Sequence, residues 1–454
     1  MKKSIGRILT LVLSLALILS MLSFSAFAEV GVDTNPVTKG DVQYKGTVKI
    51  GSVMCETGAV AGVGIPYSQF YKLFVKYINE VWGGVAKGAD DVGYYLDHTS
   101  YDDGTDGVQG FTYMQKLIDD DQVFSLVGNL GTWNIASSQN YIVESGVPSV
   151  YWGTGSALQY ALPAEGNQRF TFPVQPIYIT EGRIMLLRAM NMPAIADSGV
   201  ESVKKIGVIY SADDSGQQIY SGVELQLAQV QGDKPEVVYV MVNTKVADEM
   251  TSQVAQLEGC DVVIIGGLQA YFNPIYTAMQ SNPTTRGIPT IVSYVNVALT
   301  NIPVDVAKEA DTSDIYGGAW VVIDPAAQTE QQKAEIAEFQ AVLTWGAEKG
   351  YITAADRDAY MGSAYSMSSY IALKVFMTGM DRLADKEITR DAYLAAMESE
   401  RIHVPISGGV DYSNAQRIGL DGMAFAKFNK AYTTAFDAFF TIDGMKSINE
   451  LLGQ

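Results

Sequence analysis

The stretch FSLVGNLGTWNIASSQNYIVESGVPSVYWGTGS, residues 124–156, decides the fold. Phe124–Val127 is an apolar run of strand length, closed by the turn Gly128–Asn134. A helix is predicted over Ile135–Val143 and a second strand over Val147–Tyr151, which ends in Gly153-Thr154-Gly155-Ser156. Strand, helix and strand in so short a span form the βαβ unit of a parallel sheet.

The same alternation extends outward in both directions. Upstream, Tyr44–Met54 reads as a strand and runs into the glycine-rich loop Thr57–Gly64. Pro66 then suits the first turn of a helix whose apolar side carries Phe70, Phe74, Tyr77, Ile78 and Val81. Val92–Leu96 is a predicted strand, and Asp102, Asp103, Gly104 and Asp106 cap a helix over Gly107–Asp120. Downstream, strands are expected at 205–210, 237–242, 261–265, 289–294 and 317–323, with helices at 217–228, 247–257 and 272–279. The fold class is therefore α/β, with two doubly wound parallel-sheet lobes of similar size. Phe170–Gln175, beside Pro173 and Pro176, reads as a crossover between them, and Asp324-Pro325 as the return. Helices follow over 329–349, 364–383 and 389–398.

Composition narrows the function. The 454 residues carry 31 Lys and Arg against 50 Asp and Glu, a formal charge of −19, which disfavours nucleic acid as a partner. Lys2, Lys3 and Arg7 precede the apolar run Ile8–Met21, and Ser25-Ala26-Phe27-Ala28 supplies the small residues of a cleavage site. Residues 1–28 are expected to be a signal peptide, leaving 426 residues and a charge of −22. No Cys lies near that site, so the expectation is an exported soluble protein, periplasmic or extracellular, without a lipid anchor. The chain has only Cys55, Cys260, His98 and His403 of their types, too scattered for metal ligation or a His-based triad. No catalytic residue, metal or cofactor is expected, and the chain is not expected to be an enzyme.

The candidate binding residues sit where strands end, because open α/β sheets bind ligands at their carboxyl edge. In the first lobe these are Thr57 in the glycine-rich loop, Thr132, Trp133 and Asn134 at a helix start, and Trp152, Gly153, Thr154, Gly155 and Ser156. Thr132 suits a helix cap, with first-turn N–H groups free for a ligand carboxylate. In the second lobe they are Asp214, Ser215, Leu268, Gln269 and Tyr294. Tyr67, Tyr101, Trp133, Trp152, Tyr271 and Tyr294 are candidate aromatic clamps.

Taken in order, several short motifs resemble the branched-chain amino acid and amide-binding family of ABC importer substrate-binding proteins, of periplasmic-binding-protein type I fold. They are Thr57-Gly58, Tyr77-Ile78-Asn79-Glu80 with Gly83-Gly84, Asp102-Asp103, Gly128-Asn129, Val147-Pro148-Ser149-Val150, Asp213-Asp214-Ser215-Gly216 and Gly266-Gly267. The resemblance implies hinge crossovers near Pro173, Pro325 and Pro405, with residues 42–173 and 326–405 in lobe one and 174–325 and 406–454 in lobe two. It implies a monomer that captures an amino-acid-like, amide or aromatic-acid solute and works with a permease and ATPase complex. It places the ligand carboxylate at Thr132 and at Gly153–Ser156. Ser215 stands where relatives have Tyr, and Tyr294 where relatives have the acidic partner of an ammonium, a role left to Asp213 or Asp214 if it exists. Residues 346–363 read as an insertion. The alternative reading is a ligand-sensing module with a separate membrane partner.

Overall fold

The structure is a computed structural model describing residues 29–322, 324–433 and 438–453. The expected signal peptide lies outside the described residues.

Two sheets organise the chain. The first contains β1 (Thr47–Met54), β2 (Tyr95–Asp102), β3 (Ser125–Leu130), β4 (Ser149–Gly153) and β5 (Thr171–Phe172), all parallel in the order β2-β1-β3-β4-β5. A short strand, Val32–Asp33, pairs antiparallel with β1. The second sheet has the order β7-β6-β8-β9-β10-β11-β12. Its members are β6 (Lys205–Ser211), β7 (Glu236–Val242), β8 (Val262–Gly266), β9 (Thr290–Val292), β10 (Ile315–Ala319), β11 (Gly422–Phe428) and β12 (Phe439–Ser447). It is parallel from β7 through β10, and β11 and β12 add antiparallel. The central strands β3 and β8 are buried along their whole length, as parallel strands covered on both faces must be.

Helices α1 (Ala61–Glu80), α2 (Gly107–Gln115) and α3 (Thr132–Ser145) flank the first sheet, joined there by α7 (Glu330–Glu348), α8 (Ala354–Met361), α9 (Ala364–Asp381) and α10 (Arg390–Glu398). Phe70 of α1 meets Phe339 at 4.7 Å between ring centroids, and Phe74 meets Tyr370 at 5.1 Å. Helices α4 (Tyr178–Met190), α5 (Asp214–Gln229) and α6 (Gln269–Ser281) flank the second sheet.

Several local expectations shift. Helix α1 starts a turn earlier than Pro66 suggests. A Cβ on Gly64 would lie 1.7 Å from the Cys55 carbonyl, so only glycine lets this turn sit on the end of β1. Strand β2 begins at Tyr95 rather than Val92 and runs through Asp97–Ser100; it is an edge strand, and its register against β1 tolerates polar side chains on the wet side. The predicted helix over 247–257 is a 3₁₀ turn followed by the single turn Thr251–Ala255. Strand β10 ends at Ala319, four residues before the expected end. Helix α4 is not among the expected elements; it is buried on nearly every side. It crosses α5 at close range: Cβ atoms on Gly182 and Gly222 would lie 2.1 Å from the Ile219 and Ile179 carbonyls.

The chain passes between the sheets three times; hydrogen bonds tie the first passage to the third, and the second to residue 406. The Val322 amide donates to the Ile406 carbonyl and the Leu420 amide to the Val174 carbonyl, each at 2.9 Å. The Tyr412 hydroxyl donates to the Pro173 carbonyl at 2.8 Å. Arg417, fully buried, reaches back to Glu398 and to the Arg169 carbonyl on the first-lobe side.

Candidate functional site

The carboxyl ends of both sheets face a common cleft that holds two adjoining cavities. The inner one, about 140 Å³, lies between the ends of β1, β3 and β4 and the loops that follow β8 and β9. The outer one, about 380 Å³, extends toward α8 and the start of β12. Tyr294, Val297, Ala298, Trp320, Ala364 and Tyr365 line both.

The inner cavity opens onto the N-terminus of α3. Gly131, at φ +104°, is the N-cap and supplies no side-chain cap, so the first-turn N–H groups are left to whatever occupies the cavity. Thr132 lines the cavity, and its hydroxyl lies 2.7 Å from that of Thr154. Tyr178 lines the cavity as well, and burial pushes its phenol up to about 12, so it stays neutral. Trp133 also lines the cavity, with its indole N–H held by Asp103 at 2.9 Å. Burial raises the Asp103 carboxyl to about 6.

An aromatic wall closes the other side. Tyr67 stacks on Tyr151, which leans on Trp320. Tyr151 sits at φ +58°, a left-handed backbone that costs a non-glycine residue about 1–2 kcal/mol. Its hydroxyl donates to Gln175 Oε1 at 2.8 Å, and Gln175 Nε2 donates to the Tyr294 hydroxyl, also at 2.8 Å. Tyr294 donates in turn to the Pro176 carbonyl at 3.1 Å and stacks on Tyr178. Glu181 lies beneath Tyr294, where one carboxyl oxygen accepts the Tyr294 N–H and the other the Ser293 hydroxyl. Burial pushes this carboxyl up to about 8.

Of the sequence candidates, Thr132, Trp133, Gly153, Leu268, Gln269 and Tyr294 meet in the inner cavity. Thr154 and Gly155 stand just behind it; the Gly155 carbonyl accepts the Tyr178 N–H. Thr57 points away, because its hydroxyl donates to Asp102 and ties the glycine-rich loop to the following turn. Asn134 is buried against the Leu130 carbonyl. Trp152 packs into the core on the opposite face, its indole N–H on Ser149, because the left-handed turn at Tyr151 gives the cleft to Tyr151 instead. Ser156 caps a 3₁₀ turn. Asp214 is exposed at the start of α5 and lines neither cavity, and Ser215 is buried with its hydroxyl on Asp213. Asp213 caps α5, its Oδ1 accepting from the Ser211 and Ser215 hydroxyls and the Gly216 amide, and it lines neither cavity. Of the remaining aromatic candidates Tyr67 lines the inner cavity, whereas Tyr101 stacks on Tyr113 and Tyr271 lies under Lys245.

Tyr151, which opens the candidate stretch Tyr151–Ser156, also lines the cavity, whereas Gln175, Tyr178, Trp320, Tyr365 and Ser368 escape sequence reading. Gln175, Tyr178 and Trp320 come from crossover segments, which carry no periodicity; only the prolines at 173 and 176 marked the first of them. Tyr365 and Ser368 lie at the start of α9, which the fold alone brings to the cleft. Among the described residues, no Asp, Glu, Lys, Arg or His lines the inner cavity. Cys55 does line it, with its thiol unpaired and raised by burial; Cys260 is likewise unpaired, buried in the other lobe. Among the described residues, no group of three or more His, Cys, Asp and Glu could hold a metal, and no helix is long and apolar enough to cross a membrane.

Two parallel-sheet lobes with a cleft at their facing carboxyl edges define a two-lobe solute binder. The periplasmic binding protein family model matches residues 47–433, and the chain belongs to that family, whose members bind solutes without chemical turnover. No curated protein matches the sequence. A fatty acid ABC transporter substrate-binding protein from Thermomonospora curvata is similar in structure, at TM-score 0.65 and 15% identity, over 93% of this chain and 97% of that one. An ABC transporter substrate-binding protein from Aeropyrum pernix gives 0.67 and 14%, over 88% and 96%. A leucine-binding protein from Thermotoga maritima gives 0.64 and 14%, over 89% and 100%. At these identities the likeness is one of fold: type I, in two lobes.

Proposed function

We propose that the chain is the exported solute-binding component of an ABC importer and that its solute carries a carboxylate or amide head on an apolar body. One observation carries this reading: the N-terminus of α3, without a side-chain cap, opens with Thr132 into a cavity that no charged side chain lines among the described residues. Helix N–H groups and a hydroxyl favour an oxygen-rich or anionic head. An α-ammonium would be buried without a counter-charge, at a cost of several kcal/mol. The nearest buried carboxyl, Glu181, is shielded behind Tyr294 with both oxygens engaged. Aromatic acids and amides therefore suit the cavity better than free amino acids. The structural neighbours named for fatty acid and for leucine show that one fold serves different solutes.

Hinge closure between the lobes would trap the solute. The passages are proposed near Pro173, near Pro325 and at 418–421; the third falls after Pro405 because Arg417 is still held by first-lobe groups. Two hydrogen bonds already span the cleft, from the Ala157 amide to Gln218 and from Asn301 to the Tyr365 hydroxyl, each 2.8 Å.

The test is calorimetry on the purified chain with 4-methylpentanoate, its amide and leucine, which share one side chain. The acid or amide is expected to bind at least tenfold more tightly than leucine. Tighter binding of leucine would refute the ligand chemistry, and turnover of any bound solute would refute the binding role.

A further inference from the structure

Resting on the reading of the inner cavity as the head-group site, we infer that the solute is elongated. Its head fills the inner cavity, and an apolar tail, an alkyl chain or a second ring, passes Tyr294 and Trp320 into the outer cavity beneath α8. Three observations converge on this.

The first is continuity. The two cavities adjoin: six residues, three of them aromatic and none charged, line both, so a tail leaving the inner cavity at Tyr294 and Trp320 meets the outer one directly. The second is size. At about 140 Å³ the inner cavity is smaller than the roughly 300–1,000 Å³ usual for small-molecule sites, whereas the outer one, at about 380 Å³, falls within that range. A ligand confined to the inner cavity would leave the larger apolar space unfilled. The third is lining chemistry. Pro66, Leu299, Val321, Tyr360, Phe439 and Phe440 supply an apolar surface. Its lining includes two carboxylates: Asp324 accepts the Ala326 and Thr441 amides, and the exposed Asp358 pairs with Arg357. Among the described residues no Lys, Arg or His lines the outer cavity, so nothing there would hold a second anionic head. Phe440, 41% exposed, is a large apolar side chain left partly uncovered in this wall.

The inference also gives the 346–363 segment a task. Helix α8 and the residues after it supply Asp358, Ala359, Tyr360, Gly362 and Ser363 to the outer cavity. Tail length would be selected there, and head chemistry at α3.

Calorimetry with hexanoate, decanoate and tetradecanoate on the purified chain tests the inference. Burial of each added methylene should tighten binding about threefold to fourfold until the outer cavity is full. Ala359→Trp, on the exposed side of α8, should remove most of the gain from chain length while leaving hexanoate affinity unchanged. Phe440→Asp, at a partly exposed position, should penalise the long acids alone and serves if Ala359→Trp does not fold. Equal affinity across the series, with hexanoate bound, would overturn the tail site and leave the head-group reading intact. No binding of any of these acids or their amides, with leucine bound, would overturn the head-group reading and the tail site with it.

Discussion

The two walls of the cleft are built differently. The first-lobe wall combines backbone with rigidly packed side chains: the open end of α3, with the Thr132 and Thr154 hydroxyls bonded to each other, flanked by Tyr67, Trp133 and Tyr151. The second-lobe wall presents side chains on short loops, namely Leu268, Gln269, Tyr294, Val295 and Val297. Helix N–H groups cannot be exchanged by substitution, whereas loop side chains can. The division suggests that the first wall anchors a common head group and the second adjusts to the rest of the solute.

The largest expected effect breaks the anchor. Thr132→Val keeps the shape of the side chain and removes its hydroxyl, and should weaken carboxylate binding about 10–100-fold, the worth of a hydrogen bond to a charged group. Calorimetry that showed no change would move the anchor elsewhere. Next comes the support beneath the second wall. Glu181 has a folded pKa of about 8, above the ordinary 4.5, so the folded state is favoured when the carboxyl is protonated, and a penalty grows as pH rises from about 4.5 to 8. Glu181→Gln keeps an acceptor for the Tyr294 N–H and should stabilise the protein by about 1–2 kcal/mol at pH 8, with little change at pH 4. Thermal denaturation at the two pH values measures the difference, and equal effects at both would contradict the assignment.

A smaller effect tests whether the walls cooperate. Tyr365→Phe removes the acceptor of the cross-cleft bond from Asn301 and should speed ligand release about twofold to tenfold, read by stopped-flow fluorescence. An unchanged rate would mean that this bond does not hold the closed form. The smallest effect concerns Asp103, which holds the Trp133 indole and has a pKa raised to about 6. Below pH 6 the protonated carboxyl accepts that N–H less well, so ligand affinity should fall about twofold between pH 7 and 5. Asp103→Asn should abolish that step in the pH profile.

The walls also differed in how far they were legible. Parallel α/β organisation could be read because buried strands and capped helices leave local marks, as over 124–156. The rule that ligands bind at strand ends singles out Thr132, Gln269 and Tyr294, and these three line the inner cavity. Trp152 misled because alternation along β4 is reversed by the left-handed residue beside it, and no local rule predicts a tyrosine there. Asp214 misled because a helix-start acid next to Asp213 looks like a binding group, yet Asp213 alone does the capping. Tyr178, Trp320 and Tyr365 reach the cavity through tertiary packing, which spacing along the chain does not encode.

The bonded segments between the lobes have a mechanical consequence for the proposed closure. Strips joined edge to edge act as a leaf spring: they bend readily about one axis and resist torsion about the others. With such a flexure setting the path, a solute would not need to steer the lobes into register. Its few contacts would only have to tip the balance between the two ends of a single swing.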